Sequence, residues 1–162
     1  MVIQEVVRML LKDNRVEVNA KDDLGRTALI WASRNGCQEV VGRLLIDERV
    51  DVNAKDFRGH SAFFWANYSG SPDTIRVFLQ HEGRMDVNAT GRGALGNTPL
   101  MWACLRGRAA IVSEMLAAFP MLDVHAKNKA GSSALDIARE LKLLEIARLL
   151  EARTESDFRR DR

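Results

Sequence analysis

One short pattern recurs four times along this chain of 162 residues. It reads VNAKDDLGRTALIWASRNG from Val18 and VNAKDFRGHSAFFWANYSG from Val52, and altered copies begin at Val87 and Val124. Successive copies start 34, 35 and 37 residues apart. Periods of this length are typical of small stacked units that bury their apolar surface only against their neighbours. The pattern therefore predicts an extended array of units.

Each copy contains the signals for a turn and two helices. In the first copy Asp22 and Gly25 take the first and fourth places of a tight turn, where these residue types are favoured. A hydroxyl residue then precedes an apolar run, as a helix N-cap does. These predicted N-caps are Thr27, Ser61, Thr98 and Ser133. Gly36, Gly70 and Gly107 are placed to end the first helices, and Ser71-Pro72 is the clearest start of a second helix.

The pattern VNAKDxxGxTxLxxA, followed by a glycine and by EVV, resembles the ankyrin repeat. The resemblance implies an all-α solenoid of helix–turn–helix units with β-turn fingers, and a concave surface formed by the fingers and first helices. It also implies a binding module without catalysis of its own. We assign one array to residues 1–153: a half repeat over 1–17, and repeats from about 18, 52, 87 and 124. Residues 154–162 are predicted to be a disordered, charged tail, since apolar periodicity stops there.

Several departures from the family pattern are informative. The histidine of the family's TPLH motif is replaced by Ile30, Phe64, Met101 and Asp136, so the hydrogen-bond network of that histidine is not expected. Trp31, Trp65 and Trp102 share the next position, where core packing is the simplest interpretation. Repeat 3 has two extra residues in its finger, and Lys142 replaces the helix-ending glycine of repeat 4.

The N-terminal half repeat matches only a second helix. Either the chain is a piece of a longer array, which we favour, or another surface covers this helix. The half repeat is thus predicted to contact further repeats or to self-associate.

Charge and cysteine content narrow the function classes. There are 24 Lys and Arg against 22 Asp and Glu, a net charge of +2, which argues against binding by bulk charge alone. Cys37 and Cys104 are too few and too far apart for a disulfide framework, so a reducing compartment, cytoplasm or nucleus, is expected. No apolar run approaches the roughly 20 residues of a membrane span, so no membrane insertion is predicted.

No catalytic, cofactor or metal site is predicted. Residues 91–96 match GxGxxG, but the match lies in a repeat finger and lacks the buried strand that a dinucleotide fold requires. His60, His81 and His125 lie at different repeat positions, without neighbours at metal-ligand spacing. A Cys–His pair assembled across the fold stays open, although both cysteines are better explained as small apolar residues. We therefore predict that the protein is not an enzyme.

The repeat alignment also predicts which residues face a protein partner. They are Asp23, Leu24, Arg26, Arg34, Phe57, Arg58, His60, Tyr68, Arg92, Leu95, Asn97, Leu105, Arg106 and Arg108. With their aligned neighbours, this face carries six Arg and Lys129 against Asp23 and Glu140. It therefore suits an acidic, partly apolar protein segment, with Phe57, Tyr68 and Leu95 as anchors.

Three alternatives to this interpretation remain open. The arginines form only a solvated face; or the face attracts nucleic acid or anionic lipid; or the chain is a regulatory fragment of a larger multidomain protein.

Overall fold

The computed structural model describes residues 2–91 and 95–160 of the chain. Within these ranges nine α-helices follow one another: α1 Val2–Lys12, α2 Ala28–Arg34, α3 Gln38–Ile46, α4 Ala62–Ser69, α5 Pro72–Leu79, α6 Pro99–Leu105, α7 Ala109–Ala118, α8 Ala134–Glu140 and α9 Leu144–Arg160. A 3₁₀ turn, Glu82–Arg84, follows α5. In the described part, the β structure consists of one isolated bridge between Lys55 and Ser61. The predicted all-helical solenoid is thus confirmed.

The first helices begin where their hydroxyl residues predict. The side chains of Thr27, Ser61, Thr98 and Ser133 each accept a hydrogen bond from the backbone N–H three residues on. The glycines predicted to end α2, α4 and α6 all have a left-handed backbone. In the fourth unit Lys142 takes this place with a φ of 55°. A side chain in this conformation strains the backbone, so the geometry of the unit is kept without its usual residue.

The helices form two layers. The first helices of the units, α2, α4, α6 and α8, contact one another in that order, and the second helices, α1, α3, α5, α7 and α9, do the same. Apolar side chains fill the space between the layers. Leu29, Phe63 and Leu100 are fully buried in one row, whereas Leu135 of the last unit is half-buried. Ala32, Ala66, Ala103 and Ala138 form a second buried row, which lets neighbouring helices approach closely.

The asparagine of the recurring Val-Asn-Ala sequence joins consecutive units. Asn19 donates to the carbonyl of Arg49 (2.7 Å) and accepts from the N–H of Asp51 (2.8 Å). Asn53 and Asn88 repeat both hydrogen bonds on the next loops. We call these three pairs of hydrogen bonds the asparagine clamps. In the fourth unit, His125 takes the asparagine position.

The C-terminal segment differs from the sequence prediction. Residues 154–160 were expected to be disordered, but α9 continues to Arg160. Arg153 pairs with Asp157 one turn later (Nε–Oδ1 3.0 Å) and donates to the carbonyl of Leu116, which ties α9 to α7. Neither glycine nor proline interrupts this stretch, and the Arg153–Asp157 pair stabilises the helix beyond its apolar pattern. The boundary predicted at residue 153 therefore falls inside a helix. Residues 161 and 162 lie outside the described part.

Among the helices of residues 2–91 and 95–160, none combines the length and apolar composition needed to cross a bilayer.

Candidate binding surface

The segments before the first helices, which we call fingers 1 to 4, are residues 21–27, 55–61, 90–98 and 127–133, of which 92–94 lie outside the described part. In finger 1 one carboxylate oxygen of Asp22 accepts from the N–H groups of Leu24 and Arg26 (2.9 and 2.8 Å). Asp56 in finger 2 makes the same two hydrogen bonds. Because the aspartate accepts from the turn's N–H groups, each of these two fingers holds one defined shape.

The second oxygen of each aspartate binds a tryptophan of the following helix. The indole N–H of Trp31 donates to Asp22 (2.8 Å), and that of Trp65 donates to Asp56 (2.9 Å). Trp31 is 40% exposed, and Trp65 and Trp102 are half-buried. The expectation that these rings pack in the core is therefore corrected: each indole lies at the edge of the core. Fingers 1 and 2 are joined to their first helices by these indoles, without a TPLH histidine.

The carboxylate of Asp22 is held in its charged form. Partial burial by itself would raise its pKa, but hydrogen bonds from the Arg26 side chain and backbone, the Trp31 indole and the Leu24 N–H together lower it well below the usual range. Arg26 also forms an ion pair with Asp22 (Nη2–Oδ2 2.8 Å), so its charge is neutralised locally.

Guanidinium groups and aromatic rings alternate along the first helices. The Cζ of Arg26 lies 3.8 Å from the centroid of the Trp31 ring. Arg34 lies between two rings, 5.6 Å from the centroid of Trp31 and 5.1 Å from that of Trp65. Arg106 lies 4.3 Å from the centroid of Tyr68. Such cation–π contacts hold the guanidinium plane in place while its edge stays available to donate hydrogen bonds.

The rings themselves form a continuous cluster between α4 and α6. Tyr68 contacts Trp65 and Trp102 with centroid distances of 5.3 and 6.1 Å. Phe64, buried beneath them, contacts Trp65 and Trp102 edge-on and stacks on His60 at 3.9 Å. Burial lowers the pKa of His60; the neighbouring Asp56 opposes this effect and Arg58 adds to it. His60 therefore packs as a neutral ring at neutral pH.

Most arginines of the described chain are bound to other groups of the protein. Arg84 donates to the carbonyls of Leu45 (2.6 Å) and Val50 (2.8 Å) in the preceding unit, and Arg108 donates to the carbonyl of Gly70 (2.9 Å). Others pair with carboxylates. On the fingers and at the ends of the first helices, the side chains of three exposed arginines have no ion pair or hydrogen bond to any residue of 2–91 and 95–160. These are Arg34, Arg58 and Arg106.

The structure separates the predicted partner-binding residues by exposure. Those exposed on the fingers and first helices are Asp23, Leu24, Arg34, Phe57, Arg58, Tyr68, Leu95 and Arg106. Arg26, His60, Leu105 and Arg108 are half-buried, and Asn97 is buried, where its side-chain oxygen accepts from Asn128 (2.8 Å). Arg92 lies outside the described residues. The roles found for Asn97 and Arg108 are contacts between units, which a repeat alignment does not reveal.

Metal binding and cysteine reactivity are the other chemistries to consider among the described residues. Among residues 2–91 and 95–160, no group of three His, Cys, Asp or Glu side chains is placed to hold a metal ion. Cys37 and Cys104 are free thiols. Burial raises the pKa of the Cys104 thiol to about 12, so it is protonated at neutral pH. Three of the six residues of the GxGxxG match at 91–96, residues 92–94, are outside the described part.

Comparison with known protein families agrees with this geometry. A sequence model described as Ankyrin repeats (3 copies) matches residues 2–91, and one described as Ankyrin repeat matches residues 95–129. The chain belongs to the ankyrin repeat family. Ankyrin repeats are generally non-catalytic and bind other proteins.

One curated relative is Inversin-B from Xenopus laevis. It is 40% identical over 68 residues, a match that covers 41% of this chain and 6% of the relative. The chain thus matches only a small part of that protein.

Proposed function

We propose that this chain is a non-catalytic interaction module whose finger and first-helix face binds an acidic, partly apolar segment of another protein. We place this face on the concave side of the array. The observation that carries the proposal is the set Arg34, Arg58 and Arg106: three exposed guanidiniums without a carboxylate partner in the described part of the chain. Two of them lie against aromatic rings, which supply apolar contact beside the charge.

An acidic protein segment fits this face better than a nucleic acid. The chain as a whole carries only +2, whereas nucleic-acid affinity depends on neutralising many phosphates. Trp65 and Trp102 are half-buried and contact other rings, so their faces are not free platforms for bases. Exposed Leu24, Phe57 and Tyr68 add apolar surface of the kind that anchors a peptide.

We also propose that the module works in the cytoplasm or nucleus. Both cysteines are free thiols, and Cys37 is exposed, which suits a reducing compartment.

A paired charge reversal tests the proposed function. The wild-type chain and the variant Arg34→Glu/Arg106→Glu are immobilised, and proteins retained from a nuclease-treated cell extract are identified by mass spectrometry. The control Arg43→Glu/Arg148→Glu changes the net charge equally on second helices. We expect partners retained by the wild type and the control to be lost by the first variant. Binding is then mapped by hydrogen exchange, with protection expected at the fingers.

Two results would contradict the proposal. One is equal retention of the same partners by all three proteins. The other is binding of random oligonucleotides or anionic vesicles that the Arg34→Glu/Arg106→Glu variant loses, in the absence of any retained protein.

A further inference from the structure

A cleft between fingers 1 and 2 combines the charge and the apolar surface of this face in one place. It has a volume of about 280 Å³. Arg34 and Trp65 line its helix side, and Leu24, Phe57 and Arg58 belong to the two finger tips. Pockets for whole small-molecule ligands usually measure roughly 300–1,000 Å³, so this space suits one or two amino-acid side chains.

The cleft has an excess of positive charge. Its lining includes three guanidiniums, those of Arg26, Arg34 and Arg58, and one carboxylate, that of Asp56. Arg26 is neutralised by Asp22, and the oxygens of Asp56 are occupied by two backbone N–H groups and the Trp65 indole. Arg34 and Arg58 remain, both exposed and without an ion pair to any described residue. Two unpaired guanidiniums at one small cleft are complementary to a carboxylate.

Arg34 is positioned before any ligand binds. Its guanidinium lies between the Trp31 and Trp65 rings, and each of these rings is fixed by its hydrogen bond to a finger aspartate. A side chain restrained in this way loses less conformational freedom on binding than a free arginine does. This restraint distinguishes Arg34 from Arg148, which is exposed on α9 and has no contacting ring in the described part of the chain.

The apolar side of the cleft is fixed as well. The N–H of Phe57 donates to the carbonyl of Leu24 (3.0 Å), which sets the distance between the two finger tips. The Phe57 ring lies directly over Gly25, where a Cβ atom would come within 2.6 Å of the ring. Leu24 and Phe57 are nevertheless 56% and 68% exposed. Large, exposed apolar side chains on a backbone held in place have surface to bury against a partner.

We propose that this cleft is the anchor point of the interaction: an aspartate or glutamate of the partner segment binds Arg34 and Arg58, and a nearby apolar side chain packs on Leu24 and Phe57. This proposal rests on the proposed function and specifies which contact contributes most to the binding of the partner. In an extended segment, side chains two positions apart point to the same side. We therefore expect the recognised pattern to be an acidic residue with Leu, Ile, Met or Phe within two positions.

A displayed library of random twelve-residue peptides supplies the probe. Peptides are selected on the immobilised wild-type chain, synthesised with a fluorescent label and titrated by anisotropy. We expect the selected peptides to be enriched in this acidic–apolar pattern. Arg34→Ala should weaken their binding at least tenfold, and Arg58→Ala and Phe57→Ala about three- to tenfold each. The control Arg148→Ala should leave the affinity within twofold.

Folding is monitored in parallel, because a variant that unfolds would also lose binding. The side chains of Arg34 and Arg58 are exposed and donate no hydrogen bond within the described chain, so their alanine variants should keep the wild-type circular dichroism spectrum. Arg34→Lys is a second variant that keeps the charge and loses the planar fork. It should bind at least threefold more weakly than the wild type.

The outcomes separate the anchor from the proposed function. If acidic peptides bind and Arg106→Ala weakens them while Arg34→Ala does not, the interaction function stands and the anchor is overturned. If the selected peptides lack acidic residues, or if the library yields no binder, the anchor is overturned as well. The proposed function is then decided separately by the retention experiment with cell extract.

Discussion

One backbone hydrogen bond joins finger 1 to finger 2, and an equivalent one joins finger 3 to finger 4. The residues that form these two bonds have different side chains. In the first pair the N–H of Phe57 donates to the carbonyl of Leu24 (3.0 Å), and in the second the N–H of Lys129 donates to that of Leu95 (2.9 Å). In each pair, the residue that donates this hydrogen bond lies over a glycine of the preceding finger, and that glycine has a left-handed backbone conformation. The Phe57 ring covers Gly25, whereas the Lys129 stem covers Gly96.

The two pairs also differ in how their fingers are joined to the helices. Asp56 of finger 2 holds both its own turn and the Trp65 indole. In finger 4, Asn128 holds the turn, but Ile137 stands at the tryptophan position. The turn geometry is therefore found in both pairs, whereas the hydrogen bond between aspartate and tryptophan is found in the first pair. The first pair also includes Arg34, an exposed and unpaired arginine that lies between two aromatic rings.

The largest expected difference between the pairs concerns the turn acceptors. Asp56→Ala leaves two N–H groups and the Trp65 indole without an acceptor at a site only 7% exposed. We expect it to lower the free energy of unfolding by about 2–4 kcal/mol. Asn128→Ala removes two backbone hydrogen bonds and the donation to Asn97, but Asn128 is uncharged and half-buried, so the cost should be about 1–2 kcal/mol. Urea titrations of both variants measure these losses in the free energy of unfolding. Equal losses would mean that the two turn acceptors do not differ in their contribution to stability.

The glycines under the finger contacts provide a second comparison. Gly25→Ala, Gly96→Ala and Gly131→Ala all place a side chain at positive φ, at a cost of about 1–2 kcal/mol each. A new Cβ meets nothing near Gly131 and the flexible Lys129 stem near Gly96, but the Phe57 ring at Gly25. Gly25→Ala should therefore destabilise most, by about 2–3 kcal/mol.

Gly25→Ala should also weaken the peptides selected on the wild type, because Phe57 must move. Gly131→Ala, the control, should bind them normally. Normal binding by Gly25→Ala would mean that the position of Phe57 does not matter for recognition.

The end of the fourth unit should gain stability from a single change. Lys142 has a φ of 55°, whereas the corresponding residues of the other units are glycines. Lys142→Gly should raise the free energy of unfolding by about 1 kcal/mol, because it relieves left-handed strain in a side-chain-bearing residue. Thermal unfolding followed by circular dichroism measures the gain. A lower melting temperature would show that the Lys142 side chain stabilises α9 by more than its backbone costs.

The smallest effect expected is a pH dependence of the first pair. The folded pKa of Asp22 lies below its unfolded value of about 3.9, so its contribution is present above pH 4 and is lost as the pH falls. Asp22→Asn should flatten the decrease in unfolding free energy below pH 4. Asp23→Asn, on the same finger, serves as the control. If both variants lose stability in acid as steeply as the wild type, the hydrogen bonds of Asp22 do not contribute in this way.

Local signals in the sequence predict the fold well. The hydroxyl N-caps, the helix-ending glycines and the repeat period depend on residues close together in the chain, and the structure confirms all of them. The continuation of α9 was missed, because charge pairs one turn apart extend a helix after its apolar pattern has ended.

The candidate site was only partly predictable, because its contacts join different units. The tryptophans share one repeat position, and residues that recur at one position are as typical of the buried core as of its edge. A signal was present: Asp22 and Trp31 are nine residues apart, as are Asp56 and Trp65, and in the fourth unit both positions change together, to Asn128 and Ile137. Arg108 and Asn97 gave no such signal, since their partners lie in neighbouring units.

The asparagine clamps determine where this array is able to bend. Three successive joints are each closed by two hydrogen bonds between loops, at 2.7–2.9 Å. Spreading the units apart at that edge would break both hydrogen bonds of a joint at once. A change in curvature is therefore easier as a rotation about the line of loops, with the displacement growing towards the finger tips. At the tips of fingers 1 and 2 the hydrogen bond from Phe57 to Leu24 opposes this rotation, so a ligand that widened their opening would have to break it.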